Sequence, residues 1–588
     1  MKRVMTWLGV GLAAVFLAVA GARAENAVRL SAADFGAVPD DGKDDTEAFQ
    51  KLFAAAAQAT GPVVIEVAPG RYDFFPEKAT RRACYASNAI DLAPPVRTIA
   101  LDLQGLKDVT VAGKGAEFLM HGKMTLLVAE NCQNLTLEGL AFDMARPAVS
   151  EITVTGVEQN VWTAKVHPDC RHAVEGNRMV WIGEDWRCGD GLTQQYDPET
   201  NTTWRSDDPF AHATAIAEPS PGLLQVTSAK PVDFPVGRVF QFRDGVRDQV
   251  GMWFNHCRNL VLRDVDVHAT AGFGLLSQFT DGITFERVRV APREGSGRTC
   301  ASSADVFHFS MCRGEIVLRD CRMEGAQDDA VNVHGIAFKV VARPAANQIT
   351  VAFSHGQTYG FQAFWPGEEL EFVAQPTLLP IGRAKVTAVA AEAGGRQQTL
   401  TLDQAPPEAL VLNRDVVENL AWIPSVTITG CHVARIPTRG FLLTTRNPVV
   451  VENNVFERTR MPAILVSDDA SNWFESGAVH DMTIQGNTFL ECAEPVIDIR
   501  PENAVDGGPV HSNIRIVDNT FVLDRHAVAV RSSDEIRVEG NTFVTRANPL
   551  PKPPDFIQKD AKSGVRIEGN RVEKATPERV RQIAGTAD

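Results

Sequence analysis

The sequence predicts an all-β protein in which most of the chain forms a parallel β-helix. Three observations support this prediction: a strand-like unit that recurs along the chain, a polar corner that recurs with it, and a helical segment before the first unit. In a β-helix each coil pairs with the coils before and after it, so similar units stack above one another. Two long stretches lack the unit and predict two inserted subdomains.

The recurring unit combines alternating apolar residues, a polar or glycine corner and a second short strand. Such alternation is typical of strands that bury one face. From Pro448 onward the units begin 22 to 33 residues apart, so the shortest spacing is a bare coil and the others carry loops. The units begin at Asn134, Asn259, Gly282, Glu315, Ser425, Pro448, Asp481, Asn513, Glu535 and Gly564.

Asparagine recurs at the corner of the C-terminal units. Asparagines stacked one coil apart can hydrogen-bond in a ladder, and asparagine tolerates the left-handed backbone conformation of a sharp corner. We therefore expect these residues to be structural. They are Asn454, Asn487, Asn519, Asn541 and Asn570.

The remaining segments predict a cap and two insertions. Residues 34–57 begin with an acidic turn and continue as a helix that precedes the strands. The two stretches without the unit contain short strands and hairpin turns, which are typical of small antiparallel β-barrel-like subdomains. The second begins just after Gly335, where it can form the wall of a substrate cleft. The predicted organisation is a signal peptide over residues 1–24, a cap and first coils over 25–144, a first insertion over 145–244, central coils over 245–337, a second insertion over 338–420 and C-terminal coils over 421–588.

The N-terminus is typical of a cleaved secretory signal. Lys2 and Arg3 precede an apolar run that ends in small residues before Glu25. We therefore expect a secreted or periplasmic protein with no membrane anchor after cleavage. The formal net charge of −15 argues against a nucleic-acid partner, and the sequence leaves a homodimer open.

The cysteines predict neither a disulfide framework nor a metal centre. Ten cysteines are sparse for a chain of 588 residues, and they show no CxxC or Cys/His ligand spacing. Buried thiols are therefore the expectation, although an exported chain permits disulfides and makes Cys170 with Cys188 the pair to test. We expect no metal and no cofactor.

Three aspartates form the candidate catalytic group. Asp305 lies 23 residues before Asp328, which is followed by Asp329, and this distance is about one coil. Residues one coil apart stack at roughly 4.8 Å, so the three acids should converge, with Asp328 and Asp329 at a corner just before a strand. Carboxylates at that range shift each other's pKa and can divide into a general acid and a general base.

Several stretches of the sequence resemble glycoside hydrolase family 110. They are FDMARP (142–147), GFGLLSQ (272–278), GSGRTCASSADVFHF (295–309), CRG (312–314), QDDAVNVHG (327–335) and WFESG (473–477). The opening FGA…DG..DDT..FQ also resembles the N-terminal cap of the pectate-lyase-like β-helix superfamily. The resemblance implies a right-handed β-helix with β-barrel insertions. It further implies an exo-acting, inverting, metal-independent α-1,3-galactosidase that acts on a carbohydrate with terminal α-galactose, either branched blood group B structures or linear glycans as well.

The same resemblance implies a role for each acid. Asp328 corresponds to the general acid, and Asp305 with Asp329 corresponds to the pair that holds the attacking water. Other residues near the acids have the chemistry to hold a sugar. They are Arg298, His308, Asn332, His334, His355, Gln357, Trp365, Trp473 and Glu475.

Two alternatives stay open at this point. The QDD and HG elements also resemble, more weakly, those of polygalacturonases, but no RIK-like tripeptide follows His334. A β-helix can also serve as a non-catalytic carbohydrate binder or adhesin, because fold alone does not choose a function. The three acids favour catalysis.

Overall fold

A computed structural model describes residues 27–189, 191–243 and 245–585 and shows a parallel β-helix that carries two antiparallel insertions. The predicted fold class is confirmed. The signal peptide predicted over residues 1–24 lies outside the described residues. Among the helices of the described ranges, none is long and apolar enough to cross a membrane.

The larger sheet of the β-helix, called sheet A, contains 23 strands. It holds the recurring units: the first, from Asn134, is one continuous strand, and each later unit has two short strands with the corner between them. Its strands are Val28–Ser31, Val63–Glu66, Gly70–Phe74, Lys107–Met120, Gln133–Met144, Arg258–Arg263, Asp266–Val267, Asp281–Glu286, Arg289–Val290, Arg313–Arg319, Arg322–Glu324, Pro424–Thr429, His432–Ala434, Val449–Glu452, Val455–Glu457, Met482–Gln485, Thr488–Leu490, His511–Val517, Thr520–Val522, Ser533–Glu539, Thr542–Thr545, Val565–Glu568 and Arg571–Lys574.

The second sheet of the β-helix, called sheet B, contains 13 strands and carries the candidate site. Its main path has 12 strands and eleven consecutive pairs, of which ten are parallel and one, between Thr80–Ala83 and the next strand, is antiparallel. Its strands are Thr80–Ala83, Val96–Gln104, Thr125–Glu130, Met252–Asn255, Leu275–Gln278, Phe307–Ser310, Val331–Ile336, Phe441–Leu443, Ile464–Val466, Glu475–Ser476, Ile497–Ile499, Val528–Val530 and Ile557–Lys559.

The strand register aligns the recurring units. Leu260 is level with Leu135 on one side and with Ile283 on the other, and Ile316 is level with both Ile283 and Val426. All five side chains are buried. The stack therefore continues across the first insertion, between Leu135 and Leu260, and across the second, between Ile316 and Val426.

The asparagine ladder at the corner is confirmed. Asn454 donates from Nδ2 to Oδ1 of Asn487 at 3.0 Å, and Asn487 donates in the same way to Asn519 at 3.0 Å. The series continues through Asn541 to Asn570 at 3.0 and 2.9 Å. Each amide is thus satisfied inside the corner, as a buried polar group requires.

The ladder asparagines do not adopt the left-handed backbone conformation themselves. Positive φ belongs to the residue before each of them, as at Asn453 (55°), Gly486 (65°) and Asp518 (54°). Because the chain turns at the residue before each asparagine, the asparagine can direct its side-chain amide into the stack. Asn454, for example, is 1% exposed.

Helices close the N-terminal end and cover part of the C-terminal coils. The helix Thr46–Gln58 buries Phe49 against Tyr72, Phe74 and Phe118, with ring centroids 5.6, 5.4 and 5.3 Å apart. A C-terminal helix, Pro577–Gly585, was not predicted and packs Ile583 against apolar side chains of sheet A. The two 3₁₀ helices are Ala32–Phe35 and Pro553–Phe556.

The first insertion is an antiparallel sheet of seven strands beside a smaller sheet of three. The larger sheet ends in two edge strands, Thr202–Ser206 and Ala213–Ser220. Its other strands are Val149–Glu158, Val161–Val166, Leu192–Asp197, Leu223–Ser228 and Val239–Arg243, and the smaller sheet contains Arg171–Glu175, Arg178–Ile182 and Arg187–Cys188.

The second insertion is a closed barrel of six antiparallel strands. Phe338, Phe353 and Phe364 pack in its interior with ring centroids 4.8 to 5.2 Å apart. The strands are Phe338–Ala345, Gln348–Ala352, Glu369–Ala374, Leu379–Ala391, Gln397–Leu402 and Val416–Asn419.

The cysteines of the described ranges form no disulfide, and the candidate pair Cys170 and Cys188 is not joined. Cys321 and Cys431 lie one coil apart in the buried corner, where the N–H of Cys321 points to Sγ of Cys431 at 3.4 Å. Cys431 in turn donates its N–H to Oδ1 of Asn454 at 2.9 Å, so these thiols extend the asparagine ladder.

Replacing Asn487 with alanine should destabilise the protein. The change leaves the N–H of Asn454 and the carbonyl of Val451, both 2.9 Å from the Asn487 amide, without their partner. Each of the two buried groups left unsatisfied costs about 1–3 kcal/mol, so we expect a loss of about 2–6 kcal/mol in urea unfolding. The control is Asn447→Ala, because Asn447 is exposed and donates to Ile423 O at 2.7 Å; an equal loss in both variants would contradict the structural role of the ladder.

Candidate active site

The three aspartates lie at the start of two neighbouring strands of sheet B. Asp305 precedes the strand Phe307–Ser310, and Asp328 and Asp329 precede the strand Val331–Ile336. One carboxylate oxygen from each of the three lies within 4.8 Å of the others. We call these residues the acid cluster.

The strand register decides which acid stacks on Asp305. Phe307 is level with Val331, so Asp305 is level with Asp329, and the N–H of Val306 donates to the carbonyl of Asp329 at 2.9 Å. Asp328 lies outside this row, in the turn. Its side chain is 14% exposed, compared with 8% for Asp305 and 1% for Asp329, so Asp328 faces the opening.

Asp329 is held by an arginine from the next coil. Arg439 donates its backbone N–H and its Nε to Oδ1 of Asp329 at 3.0 and 2.9 Å, and its Nη2 lies 2.8 Å from Oδ2. Phe441 is level with Val331, so Arg439 belongs to the same row as the two acids. A bidentate pair of this kind fixes the orientation of the carboxylate.

Asp328 faces two arginines associated with the first insertion. Arg205, in its edge strand, lies 3.4 Å from Oδ1, and Arg247, just after the last strand of the insertion, lies 3.6 Å from Oδ2. Arg247 also donates to the carbonyl of Asn88 at 3.0 Å and lies over the ring of Phe273. The first insertion therefore supplies positive charge to the acid cluster.

Burial dominates the electrostatics of the other two acids. Burial, with the neighbouring charge of Asp328, raises the pKa of Asp305 to about 8. Burial also raises the pKa of Asp329 to about 7, although Arg439 opposes the shift. Carboxylates this close titrate as a coupled group, so the acid cluster retains a proton into the neutral pH range.

Two predicted histidines lie behind Asp305 instead of in the opening. Nδ1 of His308 is 2.7 Å from Oδ2 of Asp305, and Nε2 of His308 is 3.0 Å from Nε2 of His334. Both imidazoles are at least 98% buried. His308 contacts the acid cluster and His334 contacts His308, and this burial keeps both away from a sugar bound in the opening.

Asn332 and Glu475 line the opening together. Asn332 donates to Oε2 of Glu475 at 3.3 Å, and Asn88 donates to Oε1 at 2.7 Å. The short strand Glu475–Ser476 pairs antiparallel with Gly335 and Ile336, which carries Glu475 back over the acid cluster. The opening thus has an acceptor and an amide for sugar hydroxyls.

Trp473 forms the exposed rim of the opening. Its side chain is 45% exposed, and its ring lies 4.5 Å from that of His355, which comes from the second insertion. Gln357, also from the second insertion, lies 3.5 Å from Nη1 of Arg247 and therefore supports the wall. This placement agrees with the expectation that the second insertion borders a cleft.

Arg298 and Trp365 lie outside the opening. Arg298 is buried and forms a bidentate pair with Asp143 at 2.9 and 2.6 Å. Trp365 packs between Phe279 and Trp422, with ring centroids 5.3 and 5.8 Å away. Each residue stabilises a neighbouring region, the loop before Asp305 in one case and the barrel in the other.

The structure adds site residues that the sequence analysis missed: Asn88, Arg205, Arg247, Phe273 and Arg439. A signal existed for Phe273 and Arg439, because each occupies the coil position of Asp305 and Asp329 in an adjacent coil. Asn88, Arg205 and Arg247 belong to loops or to the first insertion, and no repeat position marks them.

The opening is a recess that continues in one direction. Over the acid cluster it is narrow, about 40 Å³, and it joins a cavity of about 380 Å³ through shared walls at Arg439, Trp473 and Glu475. The cavity lies over Leu442 and Leu465, in the following coils. On the other side Phe273, Arg247 and Asn88 close the recess.

Among the described residues, the acid cluster is the group whose geometry could hold a metal ion. The donor set fits a hard cation by type, since it consists of carboxylate oxygens. However, Arg439, Arg247 and Arg205 already balance these charges at 2.8 to 3.6 Å. The arrangement therefore suits proton transfer between carboxyl groups better than cation binding.

Comparison with known proteins identifies the family. Residues 348–417 match the family described as GLAA-B beta-barrel domain II, and residues 417–572 match the right handed beta helix region. The chain is 37% identical to alpha-1,3-galactosidase A of Bacteroides fragilis, with 96% of each chain covered. It is 34% identical to the Bacteroides thetaiotaomicron protein of that name, covering 91% of this chain and 95% of the relative, and 38% identical to the Akkermansia muciniphila one, covering 84% and 83%.

The chain belongs to the α-1,3-galactosidase family. The resemblance to glycoside hydrolase family 110 is thereby confirmed, and with it membership of a family of glycoside hydrolases.

Asp305→Asn should make folding stability less dependent on pH. A carboxyl group whose pKa is raised in the folded protein costs stability as pH rises from its unfolded value, roughly 4, to its folded value of about 8. The variant lacks this titration, so its Tm should approach that of the parent near pH 4 and exceed it near pH 8.

Glu324→Gln provides the opposite case. Burial opposes ionisation of Glu324, but His432 and Arg435 hold its pKa well below the usual range. Such a group stabilises above its unfolded pKa, and this contribution is lost as pH falls. The variant should therefore lose stability near pH 7 and converge with the parent at low pH; the same pH trend in both variants would contradict the raised pKa of Asp305.

Proposed function

We propose that this protein is an exo-acting, inverting α-1,3-galactosidase that releases terminal α-1,3-linked galactose from glycans. The observation that carries the proposal is the acid cluster at the closed end of a recess. It occurs in a chain that matches relatives named alpha-1,3-galactosidase over most of their length. The substrates are branched blood group B-type structures, linear Gal-α-1,3-Gal, or both.

The shape of the recess supports exo action. Phe273, Arg247 and Asn88 close one side, while the wider cavity over Leu442 and Leu465 is open to a longer glycan. We place the terminal sugar at the acid cluster, with the rest of the glycan over the following coils. A chain that passed through in both directions would collide with Phe273 and Arg247.

Exposure supports the division of labour among the acids. Asp328 has the most exposed carboxyl of the three and faces the opening, as a group that protonates the glycosidic oxygen must. Asp305 and Asp329 lie level with each other on adjacent strands, where two oxygens can hold one water between them. Asp328 is the general acid, and Asp305 with Asp329 activates the water.

The inverting course rests on the resemblance to glycoside hydrolase family 110. By distance alone, oxygens within 4.8 Å suit a retaining pair as well as an inverting one. A third acid favours inversion, because two carboxyl groups can hold the water while the other protonates the leaving group.

The rim residues support recognition of a sugar. The exposed ring of Trp473 offers an apolar face for the C–H surface of a pyranose, and His355 holds this ring in place. Glu475 and Asn332 offer hydrogen-bonding groups for hydroxyls at the floor. Such a mixture of one aromatic face and a few fixed polar groups is typical of small-molecule sites.

Incubation with Gal-α-1,3-Gal and with the branched blood group B trisaccharide tests the proposal. We expect galactose from at least one of them, in EDTA as well as in Ca²⁺, because the chemistry needs only proton transfers. Proton NMR should detect β-galactose first. Initial α-galactose would overturn the inverting course.

The two alternatives appear as other outcomes of the same experiment. Release of galacturonate from polygalacturonate, with no galactose from either α-galactoside, would favour a polygalacturonase-like hydrolase. Binding of the α-galactosides without any release would favour a non-catalytic carbohydrate binder. Either outcome would refute the proposed activity.

Asp328→Asn tests the assignment of the general acid. The variant should lose about 10²–10⁴-fold in kcat on the natural glycans, where leaving-group protonation is required. It should retain much more activity on nitrophenyl α-galactoside, because nitrophenolate needs little protonation. Asp305→Asn and Asp329→Asn should lose activity on both substrates; equal losses for all three variants on both would contradict the assignment.

A further inference from the structure

A line of buried groups leads from the acid cluster into the protein. Oδ2 of Asp305 lies 2.7 Å from Nδ1 of His308, Nε2 of His308 lies 3.0 Å from Nε2 of His334, and Nδ1 of His334 lies 2.7 Å from the carbonyl oxygen of Gly335. Oε1 of Glu475 lies 3.8 Å from Nε2 of His334. The proposed function assigns no role to either histidine.

The hydrogen bonds determine how many protons this line holds. The carbonyl of Gly335 can only accept, so Nδ1 of His334 carries a proton. If His334 is neutral, its Nε2 can only accept, and the proton between the two Nε2 atoms belongs to His308. Nδ1 of a neutral His308 is then bare, so its short contact with Asp305 requires a proton on the carboxyl group.

The line therefore holds one proton more than an ionised Asp305 and two neutral histidines would. That proton can reside at either end without breaking a hydrogen bond. If the proton on Asp305 moves to Nδ1 of His308 while the proton on Nε2 of His308 moves to Nε2 of His334, Asp305 becomes a carboxylate and His334 an imidazolium. Two N–H or O–H bonds break, two form, and the total charge is unchanged.

The surroundings favour such a shift when a charge is needed at Asp305. Burial raises the pKa of Asp305 to about 8 and lowers that of His308 to about 4, so the resting proton lies toward Asp305. Burial opposes ionisation of Glu475, but His334, His308 and Arg439 keep its pKa below the usual value, so Glu475 is the counter-charge for an imidazolium at His334. The charged and titratable groups that face the line are Asp328, Asp329, Arg247, Arg439, Glu475 and His355.

We propose that His308 and His334 are positioning residues that form a buried proton relay for Asp305, with Glu475 as the counter-charge. The relay rests on the proposed function, because it serves the activation of water at the acid cluster. When the relay withdraws the proton to His334, Asp305 can accept a proton from the attacking water. Asp328 gives its proton to the leaving oxygen. The proton that Asp305 took from the water then passes to Asp328, and the proton on His334 returns to Asp305 through His308, which restores the starting state.

The relay predicts opposite pH shifts for two variants. In His334→Gln the amide oxygen can accept from Nε2 of His308 but cannot take up a proton, so Asp305 stays protonated to higher pH. The ascending limb of the kcat/KM profile should move to higher pH by about one unit, with about a tenfold loss near pH 6. In His308→Asn the amide N–H can donate to Asp305 and stabilise its carboxylate, so the limb should move to lower pH.

His511→Gln is the matched control. His511 is also a fully buried histidine of the β-helix, and its Nδ1 accepts the N–H of Val479 at 3.0 Å, away from the acid cluster. This variant should leave the limb in place. The relay would be overturned if the ascending limb of the kcat/KM profile moved in the same direction in His334→Gln and His308→Asn. It would also be overturned if the limb stayed in place while both variants kept the parental Tm. If His334→Gln fails to fold, the shift in His308→Asn decides alone.

A separate measurement distinguishes failure of the relay from failure of the proposed function. Absence of activity on every α-galactoside refutes the function but leaves the line of hydrogen bonds to be tested. In protein labelled with ¹⁵N-histidine, Nδ1 of His334 should carry a proton, and the Nε2 resonances of His308 and His334 should show one shared hydrogen bond. An Nε2 of His334 that titrates like a solvent-exposed imidazole would overturn the relay.

Discussion

The parallel hydrogen bonds between successive coils of sheet B are the interaction on which the rest of the candidate active site depends. They make Phe307 level with Leu275 and with Val331, and Val331 level with Phe441. One row therefore contains Phe273, Asp305, Asp329 and Arg439: a hydrophobic stop, two acids and their cation. A shift of the register by one residue would turn every one of these side chains to the other face of the sheet.

The insertions convert this exposed row into a recess. The first insertion carries Arg205 in its edge strand and is followed by Arg247, and the barrel of the second insertion places His355 against Trp473. Without these walls the acids would be solvated and their charges screened. Their burial explains why Asp305 and Asp329 hold protons more tightly than ordinary aspartates, and this is the property that acid–base chemistry near neutral pH requires.

Site residues that can be predicted from the sequence differ from those that cannot in where their contacting residues lie along the chain: at a repeat position in one case, and at unrelated positions in the other. The convergence of the acids is predictable because Asp305 and Asp329 occupy one position of a repeat that the sequence itself displays. Arg298 pairs with Asp143, which belongs to a coil that the chain leaves before it enters the first insertion, so no repeat position marks this contact. The contacts of Trp365 are unmarked for a similar reason, since Phe279 precedes the barrel in the sequence and Trp422 follows it.

The sequence by itself determined the β-helix, the asparagine ladder and the convergence of three acids, because each depends on a pattern that repeats once per coil. Only the tertiary structure decided that Asp329 is the residue level with Asp305, since loop lengths within a coil change the register by a residue without changing the pattern. It also decided that His308 and His334 lie behind Asp305, out of reach of a sugar. The depth of burial depends on which segments of the chain pack over sheet B, and the segments that do so here are hundreds of residues apart in the sequence.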